Sequence, residues 1–213
     1  MSDSQNDIMW EKYLYPGTNV LKNKLNIADK EKLKQVEATI TFEKLLELHD
    51  KPIDLDLKAN HLKAIHKYLF DEIYPFAGEY RNVNLKKGLG GFLWINDEQD
   101  IEQFLTELFN EIDYLLEICR DEFQFCELLS KMYTQLIYCH PFREGNGRSI
   151  REFTREFSIQ KSRELGLGEM ELDWSLIDKE ALDSNITVAH LFPGETALFF
   201  KEALVKKDKS VLK

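Results

Sequence analysis

The stretch Phe123–Arg151, "FQFCELLSKMYTQLIYCHPFREGNGRSIR", sets the architecture. Phe125, Leu129, Met132 and Leu136 recur at three- and four-residue spacing, which predicts a helix over Phe123–Cys139 with one apolar stripe. Pro141 stops that helix, because the residue before a proline is pushed out of the helical region. Gly145, Asn146 and Gly147 let the chain turn, and Ile150, Phe153 and Phe157 mark a new helix beyond them.

The same spacing recurs on both sides. Leu33, Val36, Ile40 and Leu45 predict a helix within Asp29–Leu48, and Leu62, Ile65 and Leu69 one within Leu57–Phe70. Phe104, Leu108, Ile112 and Leu115 predict another over Ile101–Ile118, and Ala197–Ala203 a short last one. Pro52 and Pro75 fall between helices. "GEYRNVNLKKGLGGFLWIN", Gly78–Asn96, breaks the pattern and reads as two short strands around a glycine-rich turn. The expected fold is therefore all-α, a helical bundle with one small β-hairpin. "GLGG" lacks the lysine and following helix of a phosphate-binding P-loop, so by itself it reads as a turn.

A length of 213 residues suits a single domain, 1–213, with 51–190 as its core, 1–50 as an N-terminal helical segment and 191–213 as a C-terminal helix and tail. With 43% hydrophobic and 31% charged residues the composition is that of a globular protein. No run is long and apolar enough for a membrane span, and no signal peptide is recognisable, so a cytoplasmic protein without a membrane partner is expected. A net charge of −10 argues against nucleic acid as a partner, since phosphate contacts need basic surface. Cys119, Cys126 and Cys139 form no CxxC pair and read as buried thiols, and the five histidines show no metal-ligand spacing.

His140–Arg151 carries the chemistry. A histidine at a helix C-terminus feels the negative end of the helix dipole, which favours proton uptake. Past the glycines, the unpaired N–H groups of a helix start form an anion site. Arg148 and Arg151 lie in that first turn and on one face, where positive charge opposes the dipole. An anion held between arginines and backbone accounts for the breach, most naturally a polyphosphate. Glu144 beside such an anion suits Mg²⁺, which takes one carboxylate plus phosphate oxygens and water. A base next to a bound polyphosphate suggests deprotonation of a hydroxyl that attacks phosphorus.

"HPFREGNGRSIR" resembles the signature of the Fic (filamentation induced by cyclic AMP) family, H-x-F-x-[D/E]-G-N-G-R-x-x-R, at every fixed position. "YLYPGTNVLKNKLNI" at Tyr13–Ile27, "HKYLFDEIYPFAGEYRNV" at His66–Val83 and "ELDWSLI" at Glu171–Ile177 resemble flanking stretches of the family. The resemblance implies a Fic-type helical bundle with a hairpin flap, and a protein adenylyltransferase that moves AMP from Mg-ATP to a Ser, Thr or Tyr hydroxyl, itself included. It implies His140 as general base, Phe142 as the loop's core anchor, and Glu144 as Mg²⁺ ligand. Gly145, Asn146 and Gly147 would bind the α- and β-phosphates, Arg148 the β-phosphate and Arg151 the γ-phosphate. The flap, with Lys86, Lys87 and Gly88, would hold the target segment by strand addition, although "LGGFLWIN" is less regular than the usual flap. One toxin branch phosphorylates and carries a lysine where this chain has Gly147, so Gly147 favours attack on the α-phosphorus. Transfer of another phosphate-linked group, or ATP binding without transfer, remains the alternative.

Many members silence themselves through [S/T]-x-x-x-E-[G/N], whose glutamate meets the second arginine. Thr39-Ile-Thr-Phe-Glu43, followed by Lys44, is the nearest match, so Thr39 and Glu43 are the inhibitory candidates. Otherwise restraint falls to a homo-oligomer or an antitoxin-like inhibitor, or is absent.

Overall fold

The computed structural model describes residues 10–83, 98–188 and 193–207. In chain order these form α1 (Lys30–Asp50), α2 (Ala59–Phe70), α3 (Glu98–Ile118), α4 (Glu122–Cys139), α5 (Asn146–Glu164), β1 (Met170–Leu172), a 3-10 turn (Trp174–Leu176), α6 (Lys179–Val188), α7 (Pro193–Ala203) and β2 (Leu204–Lys206). The residues gather into two compact units. One holds the described residues up to 104 together with 139–149; the other holds 105–138 and those from 150 onward.

In the first unit, α1 begins where the Asp29 carboxylate accepts the Lys32 N–H at 2.7 Å, an N-cap that satisfies one orphan donor. It packs against α2, which buries His61, Leu62, Ile65, His66, Leu69 and Phe70 on one side. Ahead of α1, Asn23 braces its loop, donating to the Leu21 and Ile27 carbonyls and accepting the Ile27 N–H. After α2 the chain turns around Pro75, where the rings of Tyr74 and Phe76 stack at 4.9 Å and Tyr13 meets Phe76 edge-on.

The second unit is organised by α5, whose residues 152–159 are all buried. Phe153 meets Phe109 edge-on at 5.7 Å, and Tyr133, Trp174 and Phe200 form a ring cluster. Past the end of α5, Gly166 has φ 74°; its N–H donates to the Arg163 carbonyl and Leu167 N–H to that of Ser162. That is the paired bonding of a glycine C-cap. The Ser162 and Ser158 hydroxyls then accept the N–H groups of Met170 and Leu172 and fasten β1 to α5. β1 pairs antiparallel with β2, Glu171 opposite Val205.

The expected helices are present within a few residues of their sequence limits, and the fold is mostly helical. The expected hairpin is a different matter. Tyr80–Val83 are irregular rather than a strand, and its remaining residues to 96, with Lys86, Lys87 and Gly88, lie outside the described residues. The sheet that is described, β1–β2, was not expected, nor was α6. Cys119, Cys126 and Cys139 are buried thiols, and burial pushes Cys126 up to about 11 and Cys139 up to about 12. Among the described residues no helix is long and apolar enough to cross a membrane.

Candidate active site

The loop between α4 and α5 is built from its core outward. Phe142 is fully buried and stacks on the His66 imidazole, with centroids 3.8 Å apart and planes 12° apart. His66 accepts the Gly78 N–H at Nδ1 (2.8 Å), so its proton sits on Nε2, which bonds the Glu144 carbonyl at 3.0 Å. Burial, reinforced by the nearby Arg148 cation, pulls its pKa down to about 4 against the carbonyl's opposing pull. His66 is therefore a neutral pin joining the turn at Gly78 to the loop at Glu144.

Asn146 closes the loop on itself. Its Oδ1 accepts the Phe142 N–H and its Nδ2 donates to the Phe142 carbonyl, both at 2.8 Å. Gly145 has φ 78°, and a Cβ there would lie 2.3 Å from Cζ of Phe70, so only glycine fits. The loop thus delivers the start of α5, with its orphan N–H groups, in one fixed place.

His140 follows α4 directly and has φ 47°, in the left-handed region that non-glycine residues rarely adopt. Arg81, 1% exposed, holds that shape. Its Nε donates to the His140 carbonyl (2.8 Å), Nη2 to that of Cys139 (3.2 Å) and Nη1 to that of Val83 (2.7 Å). Its backbone N–H donates to Pro141 O at 2.9 Å. A buried cation thus caps the carbonyl end of α4 and sets the His140 backbone.

Glu144 is 43% exposed at its side chain; its Oε1 accepts the Gly145 N–H at 3.0 Å and lies 4.0 Å from Arg148 Nη2. Arg148 stands in the first turn of α5, with no acidic residue beside it there. Its guanidinium lies over the Phe70 ring at 4.8 Å, donates Nη1–H to Thr41 Oγ1 at 3.1 Å and pairs through Nη2 with Glu37. Arg151 follows on α5 in the second unit, where its carbonyl accepts Trp174 Nε1–H at 3.0 Å and its side chain meets Tyr133.

The first unit therefore brings His140, Glu144, Gly145, Asn146, Gly147 and Arg148 into one loop. Thr39 and Glu43 are both exposed on α1, and Thr39 donates to its own helix at Gln35. The α1 residues that reach the loop are Glu37 and Thr41, which have the same four-residue spacing on a different side of the helix. Lys86, Lys87 and Gly88 lie outside the described residues. Sequence reasoning missed Glu37, Thr41, His66 and Arg81 as supports of the site. His66 and Arg81 open and nearly close the stretch "HKYLFDEIYPFAGEYRNV", whose resemblance to the family was the only signal pointing to them.

Residues 56–158 match the Fic/DOC family. A "Probable protein adenylyltransferase y4lH" of Sinorhizobium fredii is 33% identical over 63% of this chain and 68% of its own length. The chain belongs to the Fic/DOC family. The protein adenylyltransferase VbhT of Bartonella schoenbuchensis is 30% identical over 80% of this chain, which spans about a third (34%) of that relative. The N-terminal Fic domain of a Bartonella quintana Bep effector, solved with bound ADP, has the same fold. It has a TM-score of 0.80 and 23% identity, covering 96% of this Fic chain and 100% of that one. The loop just described lies within the matched residues 56–158.

Proposed function

We propose that this Fic chain is a protein adenylyltransferase, moving AMP from Mg-ATP to a hydroxyl of a protein target. One observation carries the reading. His140 and the helix start of α5, with Arg148, belong to a single loop that Phe142, His66, Arg81 and Asn146 pin to the core. A base and a phosphate cradle set by the same pins keep a constant separation, which transfer to phosphorus needs. Relatives named protein adenylyltransferases support the chemistry, and the ADP bound to a structural neighbour supports a nucleotide in the fold.

In the reaction His140 takes the proton of the target hydroxyl, whose oxygen forms a bond to the α-phosphorus. The bridge to the β-phosphate breaks and pyrophosphate leaves. The N–H groups at 146 and 147 and the Arg148 guanidinium meet the phosphate oxygens where charge develops, joined by the Gly145 N–H once Glu144 Oε1 gives it up, with Arg151 as the proposed γ-phosphate ligand. Glu144, half-exposed and beside the anion site, fits the single carboxylate by which Mg²⁺ is commonly held among phosphates and waters. Bound there, the ion would offset phosphate charge. Lys86, Lys87 and Gly88 are proposed to hold the target segment, and the protein's own hydroxyls are proposed as one substrate.

The test uses ATP labelled at the α- or the γ-phosphate. The α-label should enter protein, with a mass gain equal to AMP, and the γ-label should not. His140→Ala should lose transfer at least 100-fold by the general-base estimate and still bind ATP. Transfer of the γ-label, or a His140→Ala rate near wild type, would reject the reading.

A further inference from the structure

We propose that Glu37, itself braced by Tyr74, is a positioning residue that holds the Arg148 guanidinium ready for phosphate. The proposal rests on the reading of Arg148 as a phosphate ligand. Glu37 lies seven residues into α1, far in sequence from the loop, and its side chain is 12% exposed against 24% for Arg148. One carboxylate oxygen, Oε1, accepts Arg148 Nη2–H; the other, Oε2, accepts the Tyr74 hydroxyl. Burial, then the bond to Glu37, raises the Tyr74 pKa, so the phenol stays protonated and remains a donor to the carboxylate. Thr41, 2% exposed, adds a second grip: its hydroxyl donates to the Glu37 carbonyl at 2.8 Å and accepts Arg148 Nη1–H at 3.1 Å. The Phe70 ring supplies a floor at 4.8 Å. Phe70 also fills the space that any Cβ at Gly145 would need, so one ring sets both the loop backbone and the arginine.

A free arginine side chain samples many rotamers, and ordering it at the moment of reaction costs entropy that a preformed brace removes. The brace leaves the arginine useful. Among the described residues, Glu37 and Thr41 engage two of the five N–H donors of its guanidinium. The remaining donors can meet a phosphate. A carboxylate so close to an anion site repels the nucleotide while it aligns the arginine. Removing it should therefore cost alignment, read in kcat, and leave nucleotide affinity equal or tighter. A packing role would not produce that split.

The experiment measures AMP incorporation and ATP binding for wild type, Glu37→Ala, Glu37→Gln and Tyr74→Phe, with His140→Ala as blank. Glu37→Ala should lower kcat at saturating Mg-ATP by about tenfold or more, since small misplacements at a reacting centre are costly. Its Kd for ATP should stay within about threefold of wild type or tighten. Glu37→Gln keeps an acceptor for the arginine and should recover most of the rate, and Tyr74→Phe should lose a few-fold. If Glu37→Ala does not fold, Glu37→Gln and Tyr74→Phe carry the test through the smaller losses. A separate reading comes from the Arg148 Nε–H resonance, which should be sharp and distinct in wild type and averaged in Glu37→Ala. A Glu37→Ala rate equal to or above wild type would overturn the proposal, the latter by making Glu37 a restraint on the enzyme. So would a loss confined to Kd, or equal losses in Ala and Gln variants with lowered melting temperatures. A wild type that transfers no AMP would overturn the functional reading instead, and the arginine resonance would still decide the role of Glu37.

Discussion

At position 145 one methyl group is too much. The backbone has φ 78°, which costs an L-residue about 1–2 kcal/mol, and the methyl would meet the Phe70 ring at 2.3 Å. Overpacking of this kind adds about 1–3 kcal/mol. Gly145→Ala should therefore destabilise the protein by roughly 2–5 kcal/mol as the sum of these two costs, measured by urea unfolding. It should also shift the N–H groups that start α5, so ATP binding should fall in the protein that remains folded. The glycine was legible in the sequence as a turn; the ring it abuts was not, because Phe70 is 75 residues away in the chain. His140 shows the same division. Its position after α4 followed from Pro141, whereas its left-handed backbone and the buried Arg81 that holds it are long-range facts. α1 is charged on most of its surface, so nothing local told that Glu37 and Thr41 turn toward Arg148.

Among the elements, α5 is the one the sequence reading underdescribes. Ile150, Phe153 and Phe157 mark an amphipathic helix, yet Glu152, Thr154, Arg155, Glu156 and Ser158 are buried as well. Glu152 and Arg155 can be buried because they pair, and the Thr154 and Ser158 hydroxyls donate to the helix carbonyls of Ile150 and Arg155. Arg155 donates through Nε and Nη2 to the two Glu152 oxygens, at 3.0 and 2.7 Å, and through Nη1 to Glu171 at 2.8 Å. The ion pair joins the helix to β1, so one network supports an element that the sequence showed and one that it hid. Three-residue strands are too short for alternation to register, which explains why β1 and β2 were not legible. Breaking the pair from one side should be severe. Glu152→Ala leaves a buried guanidinium with Glu171 alone and should cost about 3–5 kcal/mol in urea unfolding. Replacing both partners with apolar residues of similar volume, as in Glu152→Leu with Arg155→Met, should cost much less, because no unpaired charge is left behind. A double variant as unstable as the single one would mean that the carboxylate holds α5 by shape and not by charge.

For the whole molecule, mild acid separates one buried group from the general charge. The chain carries a net charge of −10 near neutrality, and protonating surface carboxylates relieves self-repulsion, which by itself favours the compact state. His66 works in the opposite direction. Its folded pKa of about 4 lies below the ordinary 6.5, so between these values the unfolded chain binds a proton that the folded protein refuses. Stability must then fall as pH drops from about 6.5 toward 4, and the loss levels off below that, where both states are protonated. The full difference corresponds to on the order of 3 kcal/mol. Protonation would also place an N–H at Nδ1 against the Gly78 N–H and break the pin between that turn and the Glu144 carbonyl. The control is His66→Gln, whose amide can accept and donate but does not titrate. It should be less stable than wild type at pH 7.5, having lost the stack on Phe142, and its stability should depend less on pH between 7 and 4. Unfolding free energies in urea at pH 7.5, 6.0, 5.0 and 4.0 measure both. The gap between the two proteins should narrow as pH falls. A constant gap would show that acid acts on other groups and that His66 gains its proton without cost to the fold.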